Sequence, residues 1–349
     1  MTINSALKKM LITIAIGSMG GGAFFVLNMP LPWMLGSIFA TALAALTKLP
    51  LNSPSQVRPF VVAVIGVMLG SGFQVDTFSE INLWIISLIG LFACIALSAF
   101  VAYVFLRRCG GMDPVTALFS AMPGGLVEMV EIGRSEGGDV RAIIFNHTCR
   151  IVLVIAAIAF WFRLVLGLEV DGIAPLPKGE TSLIDLAILA ACAVLGAVLG
   201  IRLKLPAPTF LGPLVLSATV HMASLTNGGP PIFIILGAQI LLGVIVGCRF
   251  EGIAPARLWQ AIKLAVFSTV LMLAIALGLA FFLSGLIGKS TEQIFLAYAQ
   301  GGLSEMSLVA LSINADVAYV ATHHLIRIVI LLALASTVLA RIAHRVKER

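Results

Sequence analysis

Apolar residues along this chain gather into six stretches in each half, parted by short breaks that hold most of the Pro and charged residues. In the first half the stretches run 8–27, 31–47, 58–73, 82–106, 114–132 and 140–166. In the second they run 182–200, 208–225, 231–248, 258–286, 291–307 and 317–340. A helix needs about 20 apolar residues to cross a hydrocarbon core, and about 17 to 25 is the usual range. The fourth and sixth stretches of each half are ample for a crossing, while the second and third are short but feasible. The fifth is interrupted near its middle by Pro-Gly-Gly in one half and Gln-Gly-Gly in the other.

That interruption exposes an internal repeat. Met122-Pro-Gly-Gly-Leu-Val-Glu-Met129 returns as Ala299-Gln-Gly-Gly-Leu-Ser-Glu-Met306, so that Gly124 falls on Gly301 and Glu128 on Glu305, 177 positions on. The same displacement carries Asp139 to Asp316, His147 to His324 and Arg150 to Arg327. Upstream it carries Gly66 to Gly243, Gly70 to Gly247 and Phe73 to Phe250, and a one-residue gap lays Pro32-Trp-Met-Leu-Gly36 on Pro208-Thr-Phe-Leu-Gly212. The chain is one unit written twice.

Loop charges orient the two copies. Lys8 and Lys9 place the N-terminus inside by the positive-inside rule. The first loop, Asn28 to Pro30, is neutral; the second carries Lys48 and Arg58, the third Asp76 and Glu80, the fourth Arg107 and Arg108. In the second half the first loop is basic (Arg202, Lys204), the second has only His221, and the third has Arg249, Arg257 and Lys263. The tail, with Arg341, Arg345, Lys347 and Arg349, is again inside. Halves of opposite orientation require an odd number of crossings each, so six stretches must yield five. The Gly-Gly stretch is the natural one to enter and leave on one side. The expectation is an all-α polytopic membrane protein with an inverted-topology repeat, 5+5 transmembrane helices, N-in and C-in. The first repeat is 1–166 with a re-entrant hairpin near 114–132, the external linker is 167–181, and the second repeat is 182–349 with a hairpin near 291–307.

Composition agrees with that class. Hydrophobic residues make up 60% and charged residues 11%, against about a quarter charged in an ordinary soluble chain. The 33 glycines suit membrane helices that pack closely. A formal charge of +6 invites a nucleic-acid partner, but the basic residues sit in short clusters between apolar runs and form no stripe that could follow a phosphate backbone. Cys94, Cys109, Cys149, Cys192 and Cys248 include no C-x-x-C pair and read as small packing residues. The first apolar run resembles a signal peptide, yet Gly17 to Gly36 recurs as Gly196 to Gly212 in mid-chain, so it is expected to be retained.

The candidate chemistry follows from the repeat. Gly124, Gly125, Gly301 and Gly302 permit a sharp turn and close approach to a ligand. The returning half-helix, beginning near Gly125 or Gly302, would offer free N–H groups and a positive dipole end to an anion. Arg150 lies ten residues, or about 15 Å, into a sixth helix that begins at Val140, near the middle of a core about 30 Å thick. An arginine at that depth is costly and marks a pathway or a paired site. Arg327 repeats it, and an ion pair of Arg150 with Glu128 is the structural alternative. Glu128 and Glu305 could relay protons, ligate a cation or balance the arginines. His147 and His324, three residues before the arginines, are rival proton carriers. His323 has no counterpart except Asn146, which argues against a paired metal site. Asp139 and Asp316 read as N-caps of the sixth helix, and Pro32 and Pro208 as first-turn residues of the second.

The duplicated Pro-Trp-Met-Leu-Gly (32–36), Gly-Gly-x-x-x-Met and Asp139…Arg150 elements resemble the integral-membrane AbrB family of bacteria over nearly the whole chain. Members are labelled as AbrB-duplication membrane proteins, regulators or ammonia monooxygenases. His147 departs from the expected amide and Gln300 from the expected Pro. Neither a copper or haem ligand cluster for an oxygenase nor a DNA-binding module for a regulator is visible. Bacterial citrate and glutamate carriers are similar in architecture alone, with inverted five-helix repeats and glycine-tipped re-entrant loops.

These readings converge on a secondary transporter of the bacterial cytoplasmic membrane, carrying a small organic anion with H⁺ or Na⁺ coupling. Gly124, Gly125, Arg150, Gly301, Gly302 and Arg327 would bind substrate, and Glu128, Glu305, His147 and His324 would serve coupling. No catalytic residue, metal or cofactor is expected. The partners are the substrate, the coupling ion and the bilayer, with a homodimer as an admissible assembly. The rivals are a membrane-embedded ligand sensor that does not transport and, third, a monooxygenase.

Overall fold

The computed structural model of the protein describes residues 3–73, 81–170, 181–251 and 255–334. Among them are fourteen α-helices and no strand. Seven helices, α1 (Ile3–Val26), α2 (Pro32–Leu46), α3 (Arg58–Gly70), α4 (Ile81–Arg108), α5 (Pro114–Ala121), α6 (Leu126–Ser135) and α7 (Val140–Leu164), are followed by seven in the same order. The second set is α8 (Leu183–Arg202), α9 (Pro208–Met222), α10 (Ile232–Gly247), α11 (Pro255–Ile287), α12 (Thr291–Tyr298), α13 (Leu303–Ser312) and α14 (Val317–Leu334). The acidic third loop with Asp76 and Glu80, the linker residues 171–180 and the basic tail from Arg341 to Arg349 lie outside the described residues.

Among the described residues, seven segments are long and apolar enough to cross a membrane: those of α1, α4, α7, α8, α10 with the 3-10 turn after it, α11 and α14. Helices α2 and α9 have 15 residues and α3 has 13, about 20–22 Å at the α-helical rise, short of a core about 30 Å thick. Each fifth stretch resolves into two short helices, α5 with α6 and α12 with α13, parted at 122–125 and 299–302.

The repeat extends to backbone conformation that side chains do not announce. Asn28, Leu31 and Lys48 have positive φ, and so do Lys204, Ala207 and Ser224, each 176 residues further on. Gly111 and Gly137 are matched by Gly288 and Asn314. Leu31 and Ala207, at φ 45° and 47°, hand the chain to Pro32 and Pro208 at the first turn of α2 and α9, where the missing N–H costs nothing.

The contacts divide the chain into two compact units, each drawing on both halves. The first comprises residues 1–79, 156–253 and 307–318. Its helices meet through glycines whose missing Cβ lets backbones touch. A Cβ on Gly20 would lie 2.3 Å from the Gly36 carbonyl oxygen, and one on Gly212 would lie 1.9 Å from that of Gly196, so α1–α2 and α8–α9 are equivalent close pairs. The same device joins the halves: Gly66 and Gly70 of α3 abut Phe210 and Leu214 of α9, and Gly243 and Gly247 of α10 abut Met34 and Ile38 of α2. Ser37 and Ser217 pin these contacts by donating at 2.8 Å to the carbonyls of Gly17 and Val67.

The second unit comprises residues 80–155, 254–306 and 319–349. Here α4 packs on α11, α5 and α12. Ala102 and Leu106 of α4, Ala117 and Ala121 of α5 and Met272 of α11 form one buried cluster.

The glycine contacts yield a paired prediction. Gly212→Ala places a methyl group inside the Gly196 carbonyl and is expected to lower stability by about 1–3 kcal/mol or more. Gly22→Ala on α1, where a Cβ meets nothing within 4 Å, is expected to raise it by up to about 1 kcal/mol. Thermal unfolding of the purified variants in detergent reads both.

Candidate functional site

All ten residues singled out as substrate-binding or coupling groups fall in the second unit. Helix α5 starts where the Asp113 carboxylate accepts from the Thr116 N–H at 2.9 Å, an N-cap that Ser290 repeats on α12 by accepting from Gln293 at 3.3 Å. Helix α5 stops at Met122, and α6 begins at Leu126 with Gly125 as its cap residue. The chain then doubles back. The Asp139 N–H donates to Thr116 Oγ1 at 2.7 Å, which sets the far end of α6 beside the start of α5. Val115, Leu118 and Phe119 of α5, Met129 of α6 and Ile143 of α7 bury one another inside this hairpin. Asp139 also caps α7, accepting from the Arg141 and Ala142 N–H groups at 2.9 and 3.3 Å, as the sequence predicts.

A broken helix leaves carbonyls unpaired at the end of its first half and N–H groups unpaired at the start of its second. Arginine answers the carbonyls. Arg150 Nη1 and Nη2 each donate at 3.1 Å, to the Ser120 and Met122 oxygens. Arg327 repeats this on Ala299 at 2.7 Å and Gly301 at 2.8 Å. A cation at a helix C-terminus also opposes the negative dipole end. Both arginines are buried, 5% and 4% exposed. Neither pairs with Glu128 or Glu305; the carbonyls take the place of the ion pair.

The histidines brace this arrangement. A carbonyl oxygen can only accept, so His147 donates from Nε2 to Phe119 O at 2.8 Å, which leaves Nδ1 to accept from Arg150 Nη2 at 2.8 Å. His324 likewise donates from Nε2 to Leu296 O at 2.9 Å, but its buried Nδ1 has no partner among the described residues.

The glutamates answer the other broken end. Glu128 and Glu305 each stand three residues beyond the cap glycine, and each carboxylate folds back so far that a Cβ on Gly125 or Gly302 would lie 2.0 Å from its Oε2. An acid there faces the positive dipole end of the returning half-helix. The preceding glycines make room for sulfur: a Cβ on Gly124 or Gly301 would come within about 3 Å of the Met129 or Met306 thioether. None of the four glycines has a positive φ. They are small because the chain's own Glu and Met side chains occupy the space beside them. The two tips differ in that Glu305 is buried and takes a hydrogen bond from Ser304 Oγ at 2.9 Å, whereas Glu128 is half-buried.

Several buried polar atoms of this unit have no partner among the described residues. They are Arg150 Nε, Arg327 Nε, Ser120 Oγ, Thr148 Oγ1 and both polar atoms of the Gln300 side chain. Gln300 stands where the first half has Pro123, and that difference is the sequence signal for it.

A second polar cluster escaped the sequence reading. On α4, Ser87 Oγ meets Tyr319 Oη of α14 and His323 Nε2 at 2.9 Å, and Tyr298 Oη of α12 lies 3.4 Å away. All four residues are at most 1% exposed. Their signal was the absence of a counterpart: Tyr298, Tyr319 and His323 fall on Ala121, Ala142 and Asn146.

An all-helical, multi-pass membrane protein with a duplicated broken-helix site is the class these features define. The family profile described as "Transition state regulatory protein AbrB" matches residues 33–343, and the chain belongs to that family. It is 24% identical over 308 residues to the Escherichia coli (strain K12) protein named "Putative regulator AbrB", covering 87% of this chain and 88% of that one. It is 26% identical over 352 residues to "Uncharacterized protein YhjN" of Bacillus subtilis (strain 168), covering 94% and 91%.

The arginine geometry predicts a local effect on stability. Arg150→Met strands two carbonyls and the His147 acceptor, and is expected to destabilise by at least about 3 kcal/mol. Hydrogen exchange should rise first at residues 120–126. Arg150→Lys, with a point charge in place of a fork, should fall between it and the parent protein.

Proposed function

We propose that this protein is a secondary transporter of a small organic anion rather than an enzyme. The observation that carries the reading is the pair of buried arginines. Two buried cations at equivalent places in the repeat, each with an Nε–H that has no partner among the described residues, favour an anion beside them. The Gln300 amide offers further polar capacity at the second tip. The N–H groups at Gly124, Gly125, Gly301 and Gly302 belong to the same reading, with Glu128 and Glu305 closing those helix ends until an anion displaces them.

The inverted arrangement of 5+5 crossings with two re-entrant hairpins is part of the proposal. The matched order of seven helices, the doubling back of α6 on α5 and the reversed loop charges support it. It requires α2, α3 and α9 to cross despite their length. An inverted repeat suits transport because exchange of the two halves' conformations presents one site to either side. Coupling to H⁺ or Na⁺ belongs to the same reading. The second reading is a ligand sensor without transport, favoured by the word "regulator" in the name of the Escherichia coli relative.

Uptake of radiolabelled mono-, di- and tricarboxylates by proteoliposomes separates the two. One class of carboxylate is expected to accumulate, and Arg150→Lys and Arg327→Lys proteins that remain folded should lose at least about tenfold in uptake, the effect of about 1.4 kcal/mol. Binding without uptake would favour the sensor. Normal uptake by both arginine variants would remove the anion site from them.

A further inference from the structure

We infer that His323, with Ser87, Tyr319 and Tyr298, is a proton-binding site that couples a proton to the anion. This rests on the transporter reading for the anion but not for the proton.

Hydrogen-bond logic sets the state of the cluster. His323 Nδ1 lies 2.8 Å from the Tyr319 carbonyl oxygen, which can only accept, so Nδ1 carries the hydrogen. In the neutral ring Nε2 is then an acceptor, and the neighbour at 2.9 Å, Ser87 Oγ, donates to it. Tyr298 directs its hydroxyl hydrogen to the Ser87 carbonyl at 2.5 Å. Tyr319 Oη is left to donate to Ser87 Oγ. The chain runs one way, from Tyr319 through Ser87 to His323.

The same groups can hold the charged ring. A proton added at Nε2 makes that nitrogen a donor. The Ser87 hydroxyl then rotates, accepts from Nε2 and donates onward to a tyrosine oxygen. The proton comes from hydronium, whose O–H bond breaks as the N–H bond forms and leaves water; no bond within the cluster is lost, and the added charge stays on the imidazole until the proton leaves. The other two buried histidines lack this freedom. His147 cannot take a proton at Nδ1 without expelling Arg150, and His324 Nδ1 has no acceptor among the described residues for a new N–H. The cluster is also absent from the first half, where Asn146 replaces His323, so it is a single site in a duplicated chain.

Charge ties it to the arginines. Arg327 follows His323 by four residues and shares its helix face. The other titratable groups around the ring are His324 and Tyr319 on α14 and Tyr298 on α12, with Cys94 seven residues beyond Ser87 on α4. None is a carboxylate, so a proton on His323 adds a cation one helical turn from Arg327 with no negative group among them to offset it. An anion on Arg327 supplies the offset. Proton and anion therefore favour each other, and by linkage the preference is reciprocal.

Acid-going pH jumps on proteoliposomes adsorbed to a solid-supported membrane test the site with the proton itself as probe. The parent protein is expected to give a charge displacement without any organic anion. His323→Asn, which installs the residue of the first half, should abolish it, and Ser87→Ala should shift its pH midpoint. Thermal unfolding confirms that each variant is folded, and the two variants touch opposite ends of one bond. A parent protein without displacement, or a folded His323→Asn protein with the parent's displacement, overturns the inference. Carboxylate uptake that survives such a result leaves the anion reading standing; a His323-dependent displacement with no carboxylate carried leaves the proton site standing alone.

Discussion

A helix broken inside an apolar segment must neutralise two raw ends without water. The duplicated polar features of the second unit follow from that constraint. The outgoing halves, α5 and α12, end in bare carbonyls, and Arg150 and Arg327 reach across from α7 and α14 to hold them. The returning halves begin with bare N–H groups, and Glu128 and Glu305 fold over them. Glycine at 125 and 302 allows that fold, and glycine at 124 and 301 allows a methionine to seal the turn. The arginine in turn needs a fixed direction, which His147 supplies in the first half. Pro-Gly-Gly, Glu, Met, His and Arg thus answer one electrostatic problem, and their spacing is its solution in sequence.

The first unit solves a different problem by opposite means. Its helices have few charges to satisfy and instead bring backbones into contact through Gly20, Gly36, Gly196 and Gly212, with Gly66 and Gly243 extending the contact from one half to the other. Dispersion and shape, with a few serine bonds to carbonyls, hold it. The chain has therefore separated an assembly closely packed through glycines from one organised around buried polar groups.

Much of this was legible in the residues. The returning half-helices begin one residue beyond the expected glycines, α7 and α14 begin at Val140 and Val317, and Asp139, Pro32 and Pro208 take the predicted capping and first-turn places. What stayed hidden depends on distance through space. Nothing in the sequence says that Arg150 faces carbonyls and not Glu128, because a guanidinium suits both. Nothing marks Gly125 as room for the Glu128 carboxylate. Leu31 and Ala207 carry no sign of a left-handed backbone. His323 has Asn146 as its counterpart in the repeat, and that lack of a matching histidine is what sets its cluster apart.

The positive-φ positions bear on how the two halves have aged. Leucine and alanine, lysine and serine, glycine and asparagine now stand at equivalent left-handed turns. Conformation has outlived residue identity there. A molecule of this kind keeps a symmetric main chain beneath an increasingly individual set of side chains. Peptide groups at these turns are presented twice, in equivalent positions along the chain, whereas the side chains of Gln300, Ser304 and His323 are presented once.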